Sequence, residues 1–255
     1  MYRKAPCSDP LSSSPIRKTE DVGSVFNQHG VRHHLYADDK QVYIDVPLQD
    51  IATARSILTN CIHDITNWCS SRRLQLNGAK TKLIWFGSRH TLQNVNHEDL
   101  KLQLGSTVIE PARVVRDLGV LLDDELSMKQ HITKVAYTCF YQLRRLRQLR
   151  CILCQEVTAQ SVSAFIMSRV DYCNSVLAGL PHTTLEPLQR VQNAAARLVL
   201  DLNLCDHVKP GCIGCQSNTV FSLSCVYLCI MYSTLWYNLL LINFSLCTFS
   251  VLTSF

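Results

Sequence analysis

At 255 residues, with 47% hydrophobic residues and a net charge of +5, the chain has room for one large or two smaller domains around a real core. It is too weakly basic for charge alone to indicate a nucleic-acid partner, and from about residue 19 to 208 nothing in its composition looks disordered. Thirteen cysteines follow no regular framework. A chain of this length needs no disulfide staples, so through residue 208 they are expected to be free and mostly buried in a reducing interior. No apolar signal segment is visible in residues 1–20.

Residues 1–18 are rich in proline and serine and predict a flexible leader. Val31–Tyr36 and Gln41–Val46 then read as two strands, the second alternating polar and apolar residues. They form a hairpin tipped by Asp38-Asp39. Adjacent carboxylates at such a tip either make a solvated turn or hold a hard divalent cation through oxygen ligands. His33 and His34 are expected to be strand side chains. After the hairpin, Asp50 is a candidate N-cap, and Ile51, Ala54, Leu58, Cys61, Ile65 and Trp68 fall on one face of a helix. Leu74–Leu76 and Leu83–Phe86 predict strands joined by Asn77-Gly78-Ala79-Lys80. Residues 88–99 are loop-like, and Leu100–Leu104 with Val108–Ile109 predict a second hairpin.

At Ser127 the character changes. Ser127-Met128-Lys129-Gln130 reads as a capping box, and Ile132, Val135, Cys139, Leu143 and Leu146 form an apolar stripe. Lys129, Lys134, Arg144, Arg145, Arg147 and Arg150 line the rest, with no acid between Ser127 and Arg150. Six like charges repel one another and ask for a polyanionic partner, a nucleic-acid backbone above all. Gln155–Leu177 and Thr183–Leu200 predict two further helices. A capping box opens the second at Thr183-Thr184-Leu185-Glu186, and Leu185, Leu188, Val191, Ala195 and Leu198 form its buried face. From Gly211 to Phe255 there is no Asp, Glu, Lys, Arg or His. Residues 220–255 are long enough to span a bilayer, which takes ~20 residues. Membrane association and a run of translated non-coding sequence are both open readings of this tail. The pairs Cys151/Cys154 and Cys212/Cys215 have zinc-like spacing, and Cys205, His207, Cys212 and Cys215 make a possible Cys₃His set, but no second pair lies at the usual finger distance.

Leu35-Tyr36-Ala37-Asp38-Asp39 resembles the active-site signature of reverse transcriptases. The segment Leu74-Gln75-Leu76-Asn77-Gly78-Ala79-Lys80-Thr81-Lys82-Leu83-Ile84-Trp85-Phe86-Gly87, preceded by Trp68, is similar to the next motif of that family, and Asp117-Leu118-Gly119-Val120-Leu121-Leu122-Asp123 to the one after. Asp171-Tyr172-Cys173-Asn174-Ser175 and Leu188-Gln189-Arg190-Val191-Gln192-Asn193-Ala194-Ala195-Ala196-Arg197 follow in the order found in non-LTR (LINE-type) retrotransposon polymerases. The match runs from about residue 19 to 208.

This resemblance implies an α+β fold in which residues 19–126 form a partial polymerase palm, its last strand pair at Val114–Leu122. It implies a helical thumb over 127–208 and an unrelated hydrophobic tail over 209–255. It implies an RNA-directed DNA polymerase, a nucleotidyltransferase working on an RNA template and a DNA primer. Asp38 and Asp39 would be the Mg²⁺ ligands and catalytic residues, with Lys80 the proton donor to pyrophosphate. The six basic residues named above would hold the primer–template duplex. Lys40 and Lys82 depart from the family pattern, and both are expected to add positive charge near the site. The family's Pro-Gln-Gly motif and first catalytic Asp do not occur here, since Asp9 stands among Ser and Pro rather than at the end of a strand. The expected function is therefore a catalytically inactive reverse transcriptase fragment, intracellular over residues 1–208. The alternative is a non-catalytic nucleic-acid-binding remnant or a membrane-attached relic.

Overall fold

The computed structural model describes residues 22–36, 39–93, 95–96, 100–104 and 107–202, and the backbone of 246–254. It shows an α+β fold of small antiparallel sheets and packed helices. The chain divides between Val115 and Arg116, whereas the sequence places the change at 126/127. The difference lies in the strand pair at 114–123, whose second strand packs on the helix that follows it.

The first unit opens with helix α1 (Val22–Gln28). Gly30, at φ 66°, closes it with Val31 N–H on the Phe26 carbonyl and Gly30 N–H on that of Asn27, a Schellman turn that favours a residue without Cβ. Strands β1 (Arg32–Tyr36) and β2 (Asp39–Pro47) form the expected hairpin, pairing Arg32 with Tyr43 at one end and Tyr36 with Asp39 at the other. A short 3-10 turn, Leu48–Asp50, leads into α2 (Ile51–Ser71). Asp50 stands at the N-cap position, but its side chain makes no capping hydrogen bond. The apolar face is as expected: Ile51, Ala54, Leu58, Cys61 and Ile65 are buried, and Trp68 is half-buried under the Arg72 guanidinium, 4.7 Å from the ring centre.

Leu74–Leu76 is not a strand. Arg73 takes φ 59°, and Leu74 N–H bonds the Cys69 carbonyl at 2.9 Å. This segment is thus consumed in terminating α2, and Leu74 and Leu76 pack half-buried against the core. Strand β3 (Lys82–Phe86) follows, then a one-turn helix α3 (Arg89–Gln93) within the predicted loop. The second hairpin is β4 (Leu102–Leu104) with β5 (Thr107–Ile109).

Leu83, Ile84, Trp85 and Phe86 are all buried, the pattern of a strand covered on both faces. Its neighbour comes from far along the chain. Strand β8 (Leu246–Ser254) runs antiparallel between β2 and β3, so the sheet order is β1-β2-β8-β3. Of the reach 220–255 read as a candidate membrane helix, residues 220–245 lie outside the described residues, and 246–254 form a strand instead. Thr, Val and Phe in this stretch favour a pleated chain, and both of its edges are hydrogen-bonded. Among the described residues no helix is long and apolar enough to cross a membrane.

The division falls within β6 (Val114–Asp117), which forms a hairpin with β7 (Val120–Asp123). Its two-residue turn, Leu118-Gly119, has φ 43° and 94°, the positive angles that suit the strand twist. Helix α4 (Lys129–Leu149) follows. The capping box expected at Ser127 does not form. Asp123 accepts the Ser127 hydroxyl and, at 3.0 Å, the Met128 N–H. The carboxylate at the end of β7 thus holds the two residues that lead into the helix, which has no side-chain cap. Helix α5 (Gln155–Val162) continues through one wide π turn, Ser163–Met167, into α6 (Ser168–Asp171).

The helix predicted to Leu177 stops at Asp171. There Tyr172 turns extended and Cys173 takes φ 54°. The Tyr172 hydroxyl donates to the Leu118 carbonyl at 2.6 Å. Two sequence motifs that lie far apart, Asp117–Asp123 and Asp171–Ser175, are joined by this one bond. Helix α7 (His182–Leu200) starts at His182, one residue before the predicted box, so Thr183 lies inside the helix and caps nothing. Leu188, Val191, Ala195 and Leu198 are buried, and Leu185 is half-buried. The helix packs on α4 and α5.

His131 gives this unit a pH signature. Its buried Nδ1 accepts the Leu121 N–H at 3.3 Å, and burial lowers its pKa below the usual 6.5. The unfolded chain therefore binds a proton at higher pH than the folded one. Stability is fully present above about 6.5 and lost as pH falls below it, by at most about 1.4 kcal/mol per pH unit. Urea melts between pH 7.5 and 5 are expected to show this loss, and His131→Leu is expected to flatten its contribution. An unchanged slope in that variant would remove His131 as the cause.

Candidate functional site

Alternation along β2 decides what its tip presents. Val42 and Val46 face the core under α2, and Lys40 shares their side of the strand. Lys40 is only 2% exposed. The charge expected beside the acidic tip therefore lies on the core side, where its ammonium opposes the upward push of burial on the Cys69 thiol. Lys82, by contrast, is exposed.

The opposite face carries Arg32, His34 and Tyr36 from β1 against Tyr43, Gln41 and Asp39 from β2. His34 Nε2 and the Tyr43 hydroxyl lie 3.0 Å apart with their rings stacked, and the Arg32 guanidinium covers Tyr43 while pairing with Asp45. Desolvation, then the charges of His33 and Arg32, lower the pKa of His34. His33 lies on the other side, stacked on Phe26 at 4.8 Å. Both histidines are thus strand side chains.

Asp39 is exposed, the first residue of β2, paired with Tyr36 on one side and Ser254 on the other. Asp38 lies outside the described residues. Lys80 is exposed in the turn before β3, its N–H bonded to the Asn77 carbonyl at 3.1 Å and side-chain oxygen at 3.2 Å. Gln41 and Lys82 both pair with Leu252, so β2 and β3 stand two strand spacings apart, roughly 10 Å. Asp39 and Lys80 therefore lie toward the same end of the sheet, with β8 between their strands.

A two-ion site needs carboxylates from separate strands. The strand beside β2 reads Leu-Cys-Thr-Phe-Ser-Val-Leu-Thr-Ser and contains no acid. Among the described residues no group of three His, Cys, Asp or Glu side chains could hold a metal ion. The described residues alone thus supply no donor set for a two-Mg²⁺ centre. Cys151 and Cys154 are exposed rather than buried, and the other four members of the zinc-like set lie outside the described residues.

Helix α4 concentrates the charge. Ile132, Ala136, Cys139, Leu143 and Leu146 are buried. On the opposite side Lys134, Tyr137, Tyr141, Arg144 and Arg145 fall within roughly 100° of arc at 3.6 residues per turn. Tyr137 is 74% and Tyr141 49% exposed, and the Arg145 guanidinium sits 5.9 Å from the Tyr141 ring centre. Lys129, Arg147 and Phe140 are exposed along one flank. Arg150 is used differently: its Nε and Nη1 donate to the carbonyls of Leu198 and Leu153 at 3.1 and 3.0 Å. This guanidinium ties the end of α4 to α7, and its two hydrogen bonds are spent inside the fold. The tyrosines were not among the residues expected from sequence. Their spacing carried the signal, because 137, 141 and 144 recur at four and three residues opposite the apolar stripe.

Compared with family models, curated proteins and solved structures, the chain matches none.

Proposed function

We propose that this chain is a nucleic-acid-binding remnant of the reverse transcriptase class, without polymerase activity of its own. On this reading residues 19–126 correspond to part of a palm and residues 127–208 to a thumb. The observation that carries it is the outward face of α4, where three cations and two exposed tyrosines lie opposite a buried apolar stripe. Lys and Arg neutralise backbone phosphates, and Tyr hydroxyls donate to phosphate oxygens. A solvated helix face needs neither the one-sign charge nor the aromatic exposure. The ordered motifs from Tyr36 to Asn193 supply the class, and an RNA–DNA duplex is the ligand that they imply.

Lack of catalysis follows from the donor set. Asp39 begins β2, neither strand beside it brings a carboxylate, and a two-ion site would need one from a second strand. Purified full-length chain is expected to bind RNA–DNA duplex in a salt-sensitive manner and to give no primer extension with Mg²⁺ or Mn²⁺. Extension that disappears in Asp38→Asn would overturn the inactive assignment. Duplex binding no tighter than that of a neutral control protein would overturn the binding assignment.

A further inference from the structure

We propose that the gap between β2 and β3 is an acceptor for one extended strand, and that residues 246–254 of a second copy of this chain can fill it, giving a strand-exchanged dimer. The inference stands apart from the nucleic-acid reading. It begins with the register. β8 pairs along the whole of β2, from Asp39 opposite Ser254 to Pro47 opposite Leu246, and along the whole of β3, from Lys82 opposite Leu252 to Phe86 opposite Thr248. β2 and β3 are joined through α2 and run parallel, and one antiparallel strand fits between them. Both present an edge of backbone N–H and C=O groups to that gap, and unpaired edges recruit any available strand. Leu83–Phe86 are buried, as an inner strand's residues are. The gap is therefore built to be filled.

What fills it is separable from what surrounds it. Between β3 and β8 the chain passes through the whole second unit and then through residues 203–245. The local concentration of a segment joined to its partner strand through so many residues falls as their number grows. The backbone pairs made by β8 are the same whichever copy supplies it, so tether length and protein concentration choose between the two arrangements. The segment is uncharged, with hydroxyl and apolar residues only. It therefore lacks the charges that usually blunt strand exchange.

The test uses two differently isotope-labelled preparations of the full chain, one carrying Val42→Cys and the other Val251→Cys, positions that face each other in the register. They are unfolded, mixed and refolded at low and at high protein concentration. The expected result is a dimer fraction that grows with concentration, in which mass spectrometry finds a 42–251 disulfide joining unlike labels. Excess synthetic peptide of residues 246–254, present during refolding, is expected to suppress that dimer at least severalfold by occupying the gap. The wild-type chain, refolded as a light and heavy mixture and treated with a chemical cross-linker, guards against misfolding of the cysteine variants. Monomer at every concentration would overturn the proposal, as would a dimer linked elsewhere or one indifferent to the peptide.

Discussion

Truncating Trp85 to alanine is expected to destabilise the first unit by about 3–5 kcal/mol, the usual range for removing a buried indole. Trp85 is 3% exposed on a strand buried along its length, and its Nε1 donates to the Leu100 carbonyl at 3.1 Å. That bond ties the inner strand β3 to the start of the β4 segment. Alanine leaves a cavity and also strips the carbonyl of its donor. Trp85→Phe separates the two effects. It keeps much of the apolar volume, loses the hydrogen bond, and is expected to cost about 1–3 kcal/mol. Hydrogen exchange at the β2 and β3 amides reads both losses in this unit alone. A change below about 1 kcal/mol in the alanine variant would mean that the indole is not part of the core.

That strand also shows what the sequence made legible. Leu83–Phe86 is an unbroken apolar run, and such a run reads directly as a buried strand. The β1–β2 hairpin and the apolar face of α2 are equally plain, because periods of two and 3.6 residues are local properties of the chain. What fills the sheet is not local. Leu246–Ser254 lacks charges, and hydropathy measures only length and polarity, so a strand sealed between two others and part of a membrane span look alike. Capping failed for a related reason. Ser127 and Thr183 satisfy the spacing rule, but Asp123 is closer to hand for the first helix and His182 begins the second. β2 alternation also places Lys40 on the core side, where composition alone would not put a lysine. The acidic tip and the basic helix were each legible as local patterns, a carboxylate pair between two strands and a run of like charges opposite an apolar stripe.

Replacing Arg144 and Arg145 together by alanine is expected to weaken binding to an RNA–DNA duplex by about tenfold or more near physiological salt, since two phosphates lose their neutralising partners. Both side chains are exposed on the face opposite the core of α4, so stability is expected to change little. Tyr137→Phe with Tyr141→Phe removes only hydroxyl donors and is expected to cost less, about fivefold, as one or two neutral hydrogen bonds would. Arg190 is a fair control. It is exposed on α7 with its Nε 3.8 Å from Glu186, and Arg190→Ala is expected to leave affinity within about twofold, since exposed pairs contribute little.

The most direct measurement is the salt dependence of duplex affinity for the full chain and its Arg144→Ala/Arg145→Ala variant, followed by fluorescence anisotropy. If α4 lies along the phosphate backbone, the slope of log Kd against log salt falls by roughly two in the variant, since each duplex phosphate contact contributes about 0.9. Equal slopes in the two proteins, whatever their affinities, would contradict that placement.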